Sequence, residues 1–316
     1  MKLLVLGAGA VGGYFGGRLV EAGGDVTFLV RPKRAAQLRD NPLVIRSPAG
    51  DTRLAVKTIG AAEPAGPFDI ALLACKAYDL DPAIEAVAPH VKNGALLLPL
   101  LNGMAHVERL RETFGEDRVI GGTCHIGATL NPAGEILHFD LLARMTFGAF
   151  ADQPNAAALE DLLTAFAALL ATANFSGRRI DPIDQSIWDK WVMLATLAGM
   201  TTLMRAGVGD ILQTMEGEEL VEEFLQEAIG VAEESGYPPS PEFLAAARKV
   251  LLDPKSTLMA SMLRDLEKGG AIEAEHLIGD MYRRAHEFGI DATLLRLAYC
   301  HLQAYEARRA REGRHP

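Results

Sequence analysis

Three glycines stand at a fixed spacing in Gly7-Ala8-Gly9-Ala10-Val11-Gly12, directly after the apolar run 2–6. Between a predicted strand and a predicted helix, each has a job. Gly7 makes the tight turn, Gly9 lets the backbone approach a pyrophosphate, and Gly12 lets helix and strand pack closely. The phosphates would rest on the N-terminus of the helix that Ala10 opens. The plain alternative is a strand–turn–helix corner with no ligand. The next predicted strand ends Leu29-Val30-Arg31, followed by Pro32-Lys33-Arg34. A site for an unphosphorylated ribose usually has Asp or Glu here, yet the first acid downstream is Asp40. Arg31, Lys33 and Arg34 therefore favour a 2′-phosphate, hence NADP(H). Without a ligand they would be a solvated basic helix start.

Other polar residues stand alone at the ends of apolar runs. Lys76 follows 70–74, and Asn102 follows 96–101. The carboxyl ends of strands in an open α/β sheet face the ligand crevice. Lys76 can meet a phosphate edge there, and Asn102 offers both a donor and an acceptor to a carbonyl or a ribose. A surface lysine and an ordinary Asn-Gly turn are the bland alternatives. Lys190 sits among Ile187, Trp188 and Trp191 at the start of an apolar helix. A cation in such surroundings usually has a partner or a task. In a closed site an ammonium can protonate an oxygen on which charge develops; a snorkelling lysine would need no such role. Glu273 follows Gly269-Gly270 in the first turn of another helix, where a carboxylate also suits the helix dipole. No HExxH, no GxSxG and no Cys/His metal spacing occurs.

These residues need a frame. Strand patterns over 2–6, 25–30, 69–74, 95–98 and 118–120 alternate with helical patterns, beginning with 10–22 and 31–39. That alternation argues a parallel, doubly wound sheet. Runs 43–45 and 53–56 predict a small hairpin around Pro48-Ala49-Gly50. Runs 135–139 and 145–149 predict a second one that closes the domain. Beyond about residue 180 strand patterns stop, and 182–309 reads as capped helices. Breaks are expected at Gly199, 207–209, Gly236-Tyr237-Pro238-Pro239, Gly269-Gly270 and Gly289. The expected architecture is an α/β Rossmann-like domain over 1–180 and an all-α domain over 181–316. Asn102 then falls in the first, and Lys190, Ser261 and Glu273 in the second.

The 316 residues carry 31 Lys and Arg against 41 Asp and Glu, a net charge of −10. An acidic chain repels phosphate overall, so a broad nucleic-acid footprint is disfavoured. With 49% hydrophobic residues the chain can bury a core rather than remain disordered. No apolar stretch reaches the roughly 18 residues that span a bilayer. The opening apolar run stops at Gly7, too early for a signal peptide. Cys75, Cys124 and Cys300 are odd in number and widely spaced, as reduced thiols are. The expectation is a cytoplasmic protein acting on a small molecule, with neither nucleic acid nor membrane as partner.

Several motifs now converge. GAGAVG at 7–12, Arg31, Cys75-Lys76-Ala77-Tyr78, Leu101-Asn102-Gly103-Met104, Ile187-Trp188-Asp189-Lys190 and Ser261-Met262-Leu263-Arg264-Asp265 with Glu273 make the chain resemble the ketopantoate reductases (2-dehydropantoate 2-reductases) over nearly its whole length. The resemblance implies an NADP(H)-dependent oxidoreductase that reduces a 2-keto acid, by default 2-dehydropantoate to pantoate in pantothenate biosynthesis, with a homodimer left open. It implies that Gly7, Ala8, Gly9, Ala10, Val11, Gly12, Arg31, Lys76 and Asn102 hold the cofactor. Lys190 would be the general acid, with Asn102 and Glu273 as further catalytic groups. Glu273 would grip a substrate hydroxyl, and Ser261 would contact its carboxylate. One departure stands out. The family pattern carries Asn at the fourth and eighth residues after the lysine, on its helical face. Here those positions are Leu194 and Ala198, while Thr201 stays polar. Two polar substrate contacts are missing, so a reductase of a more apolar 2-keto acid is an alternative. A non-catalytic NADPH sensor is another, though a sensor needs none of Lys190, Asn102 and Glu273.

Overall fold

Short runs of Leu, Val and Ile between turn residues read as near-continuous apolar segments, the pattern of parallel strands buried on both faces. The computed structural model, which describes residues 1–63 and 65–313, folds them that way. The first elements are β1 (Lys2–Leu6), α1 (Ala10–Glu21), β2 (Asp25–Leu29), α2 (Pro32–Asp40), β3 (Leu43–Arg46), β4 (Thr52–Leu54), β5 (Lys57–Ile59), β6 (Ile70–Leu73), α3 (Leu80–Lys92) and β7 (Leu96–Pro99). Then come α4 (Ala105–Phe114), β8 (Gly121–Leu130), β9 (Ile136–Gly148), α5 (Ala156–Thr172) and β10 (Ser176–Arg179). Five parallel strands in the order β5-β2-β1-β6-β7 make one sheet. β1 is central, with Leu4 opposite Thr27 on one side and Ala71 on the other. This is the Rossmann-like half.

A second sheet runs β10-β9-β3-β4, with β8 along β9. α1 touches both sheets, which explains its many glycines. A Cβ at Gly16 would stand 2.7 Å from the Phe28 ring, and one at Gly17 would stand 2.7 Å from Leu43. The expected hairpin over 135–149 is instead one strand, β9, whose antiparallel partner is β8. Ile126 pairs with Ala143 and Ala128 with His138, so Phe139-Asp140-Leu141-Leu142 bow out opposite Gly127. Such a bulge interrupts the alternation much as a turn would. Run 118–120 is not a sheet strand either. It is a 3₁₀ turn over Glu116–Arg118 and a single bridge from Val119 to Leu97.

The remaining elements are helical: α6 (Asp184–Met204), α7 (Val208–Ile211), α8 (Gly217–Glu234), α9 (Pro241–Leu251), α10 (Ser261–Glu267), α11 (Asp280–Glu287) and α12 (Thr293–Arg311). A π-helical turn, Glu275–Gly279, runs into α11. α6 is buried along most of its length, the environment of a helix without a polar stripe. It runs straight through Gly199, which was expected to break it. A Cβ there would lie 2.1 Å from the Phe224 ring, so the glycine serves helix packing. Trp191, Val192, Ala195, Phe224, Leu295 and Ala298 are fully buried in this core. The N-terminus of α12 is closed by Glu227, whose carboxylate accepts from Leu294 N at 2.8 Å and Leu295 N at 2.7 Å.

Two compact units result. One is Met1–Leu101 with His106–Asp184; the other is Gln185 onward together with Asn102–Ala105. Asn102, expected in the first domain, thus belongs to the second unit, because Gly103 and Met104 pack on helical-unit residues. Among the described residues no helix is long and apolar enough to cross a membrane.

Candidate active site

In the first unit the glycine loop has the geometry its spacing requires. Gly7 sits at φ +95°, and its amide donates to Leu29 O at 3.0 Å. A Cβ on Gly12 would stand 2.2 Å from Gly7 O, so only glycine lets α1 begin this close to the turn. A cavity of about 600 Å³ opens over the loop, lined by Gly7 through Val11, Arg31, Lys33, Arg34 and Lys76, with Asn131, Pro132 and Gly134 also on its wall. The first-turn amides of α1 have no partners within the helix and can meet phosphate oxygens.

The cations of this cavity are not equivalent. Arg31 reaches solvent and donates to Asp79 Oδ1 at 2.6 Å. The Asp79 carboxylate raises the Arg31 pKa. An acid therefore does stand at the nucleotide end, which corrects the expectation of basic residues without a competitor. Asp79 lies 48 residues from Arg31 in the chain, after β6, which β1 separates from β2 in the sheet. A search confined to the end of β2 misses it. Arg34 is half-buried. Its Nε donates to Ala8 O at 3.0 Å and its Nη1 to Gln37 at 3.2 Å, while Nη2 is buried without a partner among the described residues. Burial lowers its pKa. A buried guanidinium donor lacking an acceptor beside a glycine loop fits an anionic ligand oxygen. Lys76 is half-buried on the same wall.

In the second unit Lys190 is 8% exposed, one of few buried cations there. Its neighbour Trp191 donates from Nε1 to Leu277 O at 3.0 Å. Leu277 belongs to the π-turn, and its amide donates to Glu273 O at 3.1 Å. Glu273 is half-buried and immediately precedes that helix. Gly103 sits at φ +84°, where a Cβ would lie 2.6 Å from His276 O. The segments that carry Asn102, Lys190 and Glu273 thus meet at one turn, through Gly103, Trp191 and the Glu273 carbonyl. Sequence reasoning had no signal for the turn itself, because π geometry is set by packing.

The other expected contacts are placed differently. Asp189, a candidate holder for Lys190, accepts from Gln185 Nε2 at 2.8 Å, and burial pushes its pKa up. Ser261 is exposed at the first position of α10. Leu194 is half-buried against the helical core, and Ala198, at 2% exposure, lies within it. Thr201 donates to Leu197 O at 2.6 Å, so its hydroxyl is satisfied by its own helix rather than offered to a ligand.

A cavity over a glycine loop on a parallel sheet and a helical unit with a buried lysine fit an oxidoreductase acting on a keto or hydroxy group, the class that the family match shows. The family models described as "Ketopantoate reductase PanE/ApbA" and its C-terminal part match residues 3–152 and 182–306. The chain belongs to the ketopantoate reductase family, whose cofactor is NADP(H). It is 38% identical over 307 residues to an uncharacterized oxidoreductase of Bacillus subtilis, covering 97% of this chain and 99% of that protein. It also resembles the crystal structure of the 2-dehydropantoate 2-reductase of Geobacter metallireducens, at 27% identity and a TM-score of 0.85 over 96% of this chain and 99% of the other. D-mandelate dehydrogenase bound to NADH and anilino(oxo)acetate shares the fold at 21% identity and a TM-score of 0.86, over 98% of this chain and all of the other.

Proposed function

We propose that the protein reduces a 2-keto acid to the 2-hydroxy acid with NADPH, with 2-dehydropantoate as the default substrate. The observation that supports this is the meeting of the segments that carry buried Lys190, Asn102 and Glu273 at one turn of the helical unit. The cofactor would supply the hydride to the keto carbon. The chain must do the rest. The glycine loop and the N-terminus of α1 would hold the pyrophosphate, with Arg34, Arg31 and Lys76 meeting the outer phosphate. Lys190 would deliver a proton to the keto oxygen and stabilise the charge that develops there. Asn102 would orient the carbonyl, and Glu273 would hold a substrate hydroxyl.

The second reading is a reductase of a more apolar 2-keto acid. Leu194 and Ala198 favour it, because neither offers a hydrogen bond to the 4-hydroxyl of ketopantoate, and an unpaired buried polar group costs about 1–3 kcal/mol. Glu273 pulls the other way. The test is single-turnover NADPH oxidation with ketopantoate, 2-ketoisovalerate and longer alkyl keto acids, on the parent and on Lys190→Ala. The proposal expects Lys190→Ala to lower kcat by roughly 10²–10⁴ while NADPH affinity holds. No oxidation with any keto acid would leave only the sensor. A thousandfold preference for ketopantoate would remove the apolar alternative.

A further inference from the structure

Resting on that reading of Lys190, Asn102 and Glu273, we infer that the π-turn Glu275–Gly279 is their common support, and that Trp191 is the positioning residue that ties it to Lys190.

The three groups come from residues 102, 190 and 273, so no single helix holds them in register. Trp191 shares a peptide bond with Lys190, is fully buried, and donates its indole N–H to Leu277 O in the turn at 3.0 Å. A turn of α6 about its own axis would break that bond before it carried Lys190 far. Leu277 N in turn donates to Glu273 O at 3.1 Å, so the same residue contacts both segments. The third segment meets the turn at Gly103, where a Cβ would stand 2.6 Å from His276 O and 3.7 Å from Trp191 Nε1. Only a residue without a side chain, at positive φ, brings Asn102 this near.

A π-turn carries one residue more than an α-turn, a costly insertion that recurs at functional sites. Here it is braced from its other side. Tyr299 Oη donates to Glu275 Oε2 at 2.5 Å, and the Arg283 guanidinium pairs with the same carboxylate. The Tyr299 ring lies over Gly279, where a Cβ would be 2.7 Å from it.

The chain holds its own comparison. Trp188 is also buried, two residues before Lys190, and its ring centroid lies 5.0 Å from that of Trp191. Arg284 lies over both rings, 5.7 Å from Trp188 and 5.5 Å from Trp191. Yet Trp188 Nε1 has no hydrogen-bond partner among the described residues. Both indoles fill the core, and only one is bonded to the turn.

The experiment compares Trp191→Phe with Trp188→Phe, each keeping an aromatic ring and losing the N–H. Trp191→Phe is expected to lower kcat by about tenfold to a hundredfold, the scale of a small misplacement at the chemistry, and to move the alkaline limb of the kcat–pH profile, with the NADPH Kd unchanged. Trp188→Phe is expected to keep kcat within about twofold and the profile in place, even where the two variants lose similar Tm. Gly103→Ala, which presses on the turn at His276 O beside the Trp191 indole, should lower kcat without altering the NADPH Kd, and serves if Trp191→Phe does not fold. Parental kcat and pH profile in Trp191→Phe, or equal losses in both tryptophan variants, overturns the positioning role. Lys190→Ala separates the two levels. If it keeps parental kcat, the acid assignment fails and takes the inference with it. If it collapses while Trp191→Phe and Gly103→Ala do not, only the support by the turn fails.

Discussion

The two units hold their sites in different ways. The nucleotide cavity is built by backbone from one short segment: a turn at Gly7, an amide row at the start of α1 and a close approach at Gly12. The candidate helical site is assembled from three segments far apart in sequence that meet at a π-turn, through the Trp191 indole, the Glu273 carbonyl and the close approach of Gly103. A local site depends on steric exclusion at single positions. A convergent site depends on the packing of everything that brings the segments together. The first should fail through one clash, the second through small losses of alignment.

After Lys190→Ala, the largest expected effect tests the local site. Gly12→Val places atoms within 2.2 Å of Gly7 O. Overpacking typically costs about 1–3 kcal/mol; if the cavity loses all of it, the NADPH Kd rises about 5–150-fold by titration calorimetry. A parental Kd would show that the loop yields and that close approach is not what builds the cavity.

A smaller effect is expected at the mouth of the same cavity. Asp79 holds Arg31 and places a negative charge beside the expected 2′-phosphate. The pair is largely solvent-exposed, and such pairs contribute at most about 1 kcal/mol. Asp79→Asn should therefore raise kcat/KM for NADPH by about two- to fivefold and leave NADH nearly unchanged. A larger gain with NADH would mean that Asp79 serves a phosphate-free ribose in no way and that Arg31 is not a phosphate ligand.

The smallest effect concerns the helical unit and its charge. Burial raises the Asp189 pKa above its ordinary 3.8, so the folded state prefers the protonated acid. Stability from this group is fully present below the ordinary carboxylate pKa, and is lost as pH rises through the folded value. Asp189→Asn should abolish that decline and raise Tm at neutral pH by about 1–4 °C. Thermal unfolding from pH 4 to 8 checks it; an unchanged slope would show that Asp189 is stabilised in its ionised form.

Much of the first unit is visible in the chain because its signals are local. β1 and the opening of α1 can be read from an apolar run and a glycine spacing, since both report geometry within a dozen residues. β8 and β9 defeat the same reading. Their bulge breaks the period-two pattern, which hides both the continuity of β9 and its pairing with β8 across the short turn from Leu130 to Ile136. Gly199 misleads for a related reason: its cause, the Phe224 ring, lies 25 residues away.

The candidate site divides along the same line. Residue type and neighbourhood single out Lys190, because a cation among Ile187, Trp188 and Trp191 is costly unless it is used. They likewise identify Gly7, Gly9 and Gly12, whose roles are properties of the backbone next to them. Only the tertiary structure decides that Asp79 faces Arg31, that Thr201 turns back on its own helix, that Asn102 joins the helical unit, and that Trp191 rather than Trp188 carries the bond to the π-turn. Backbone geometry is governed by residues a few positions apart, whereas hydrogen-bond partners and helix contacts depend on which distant surfaces pack together, and single-residue chemistry does not encode that.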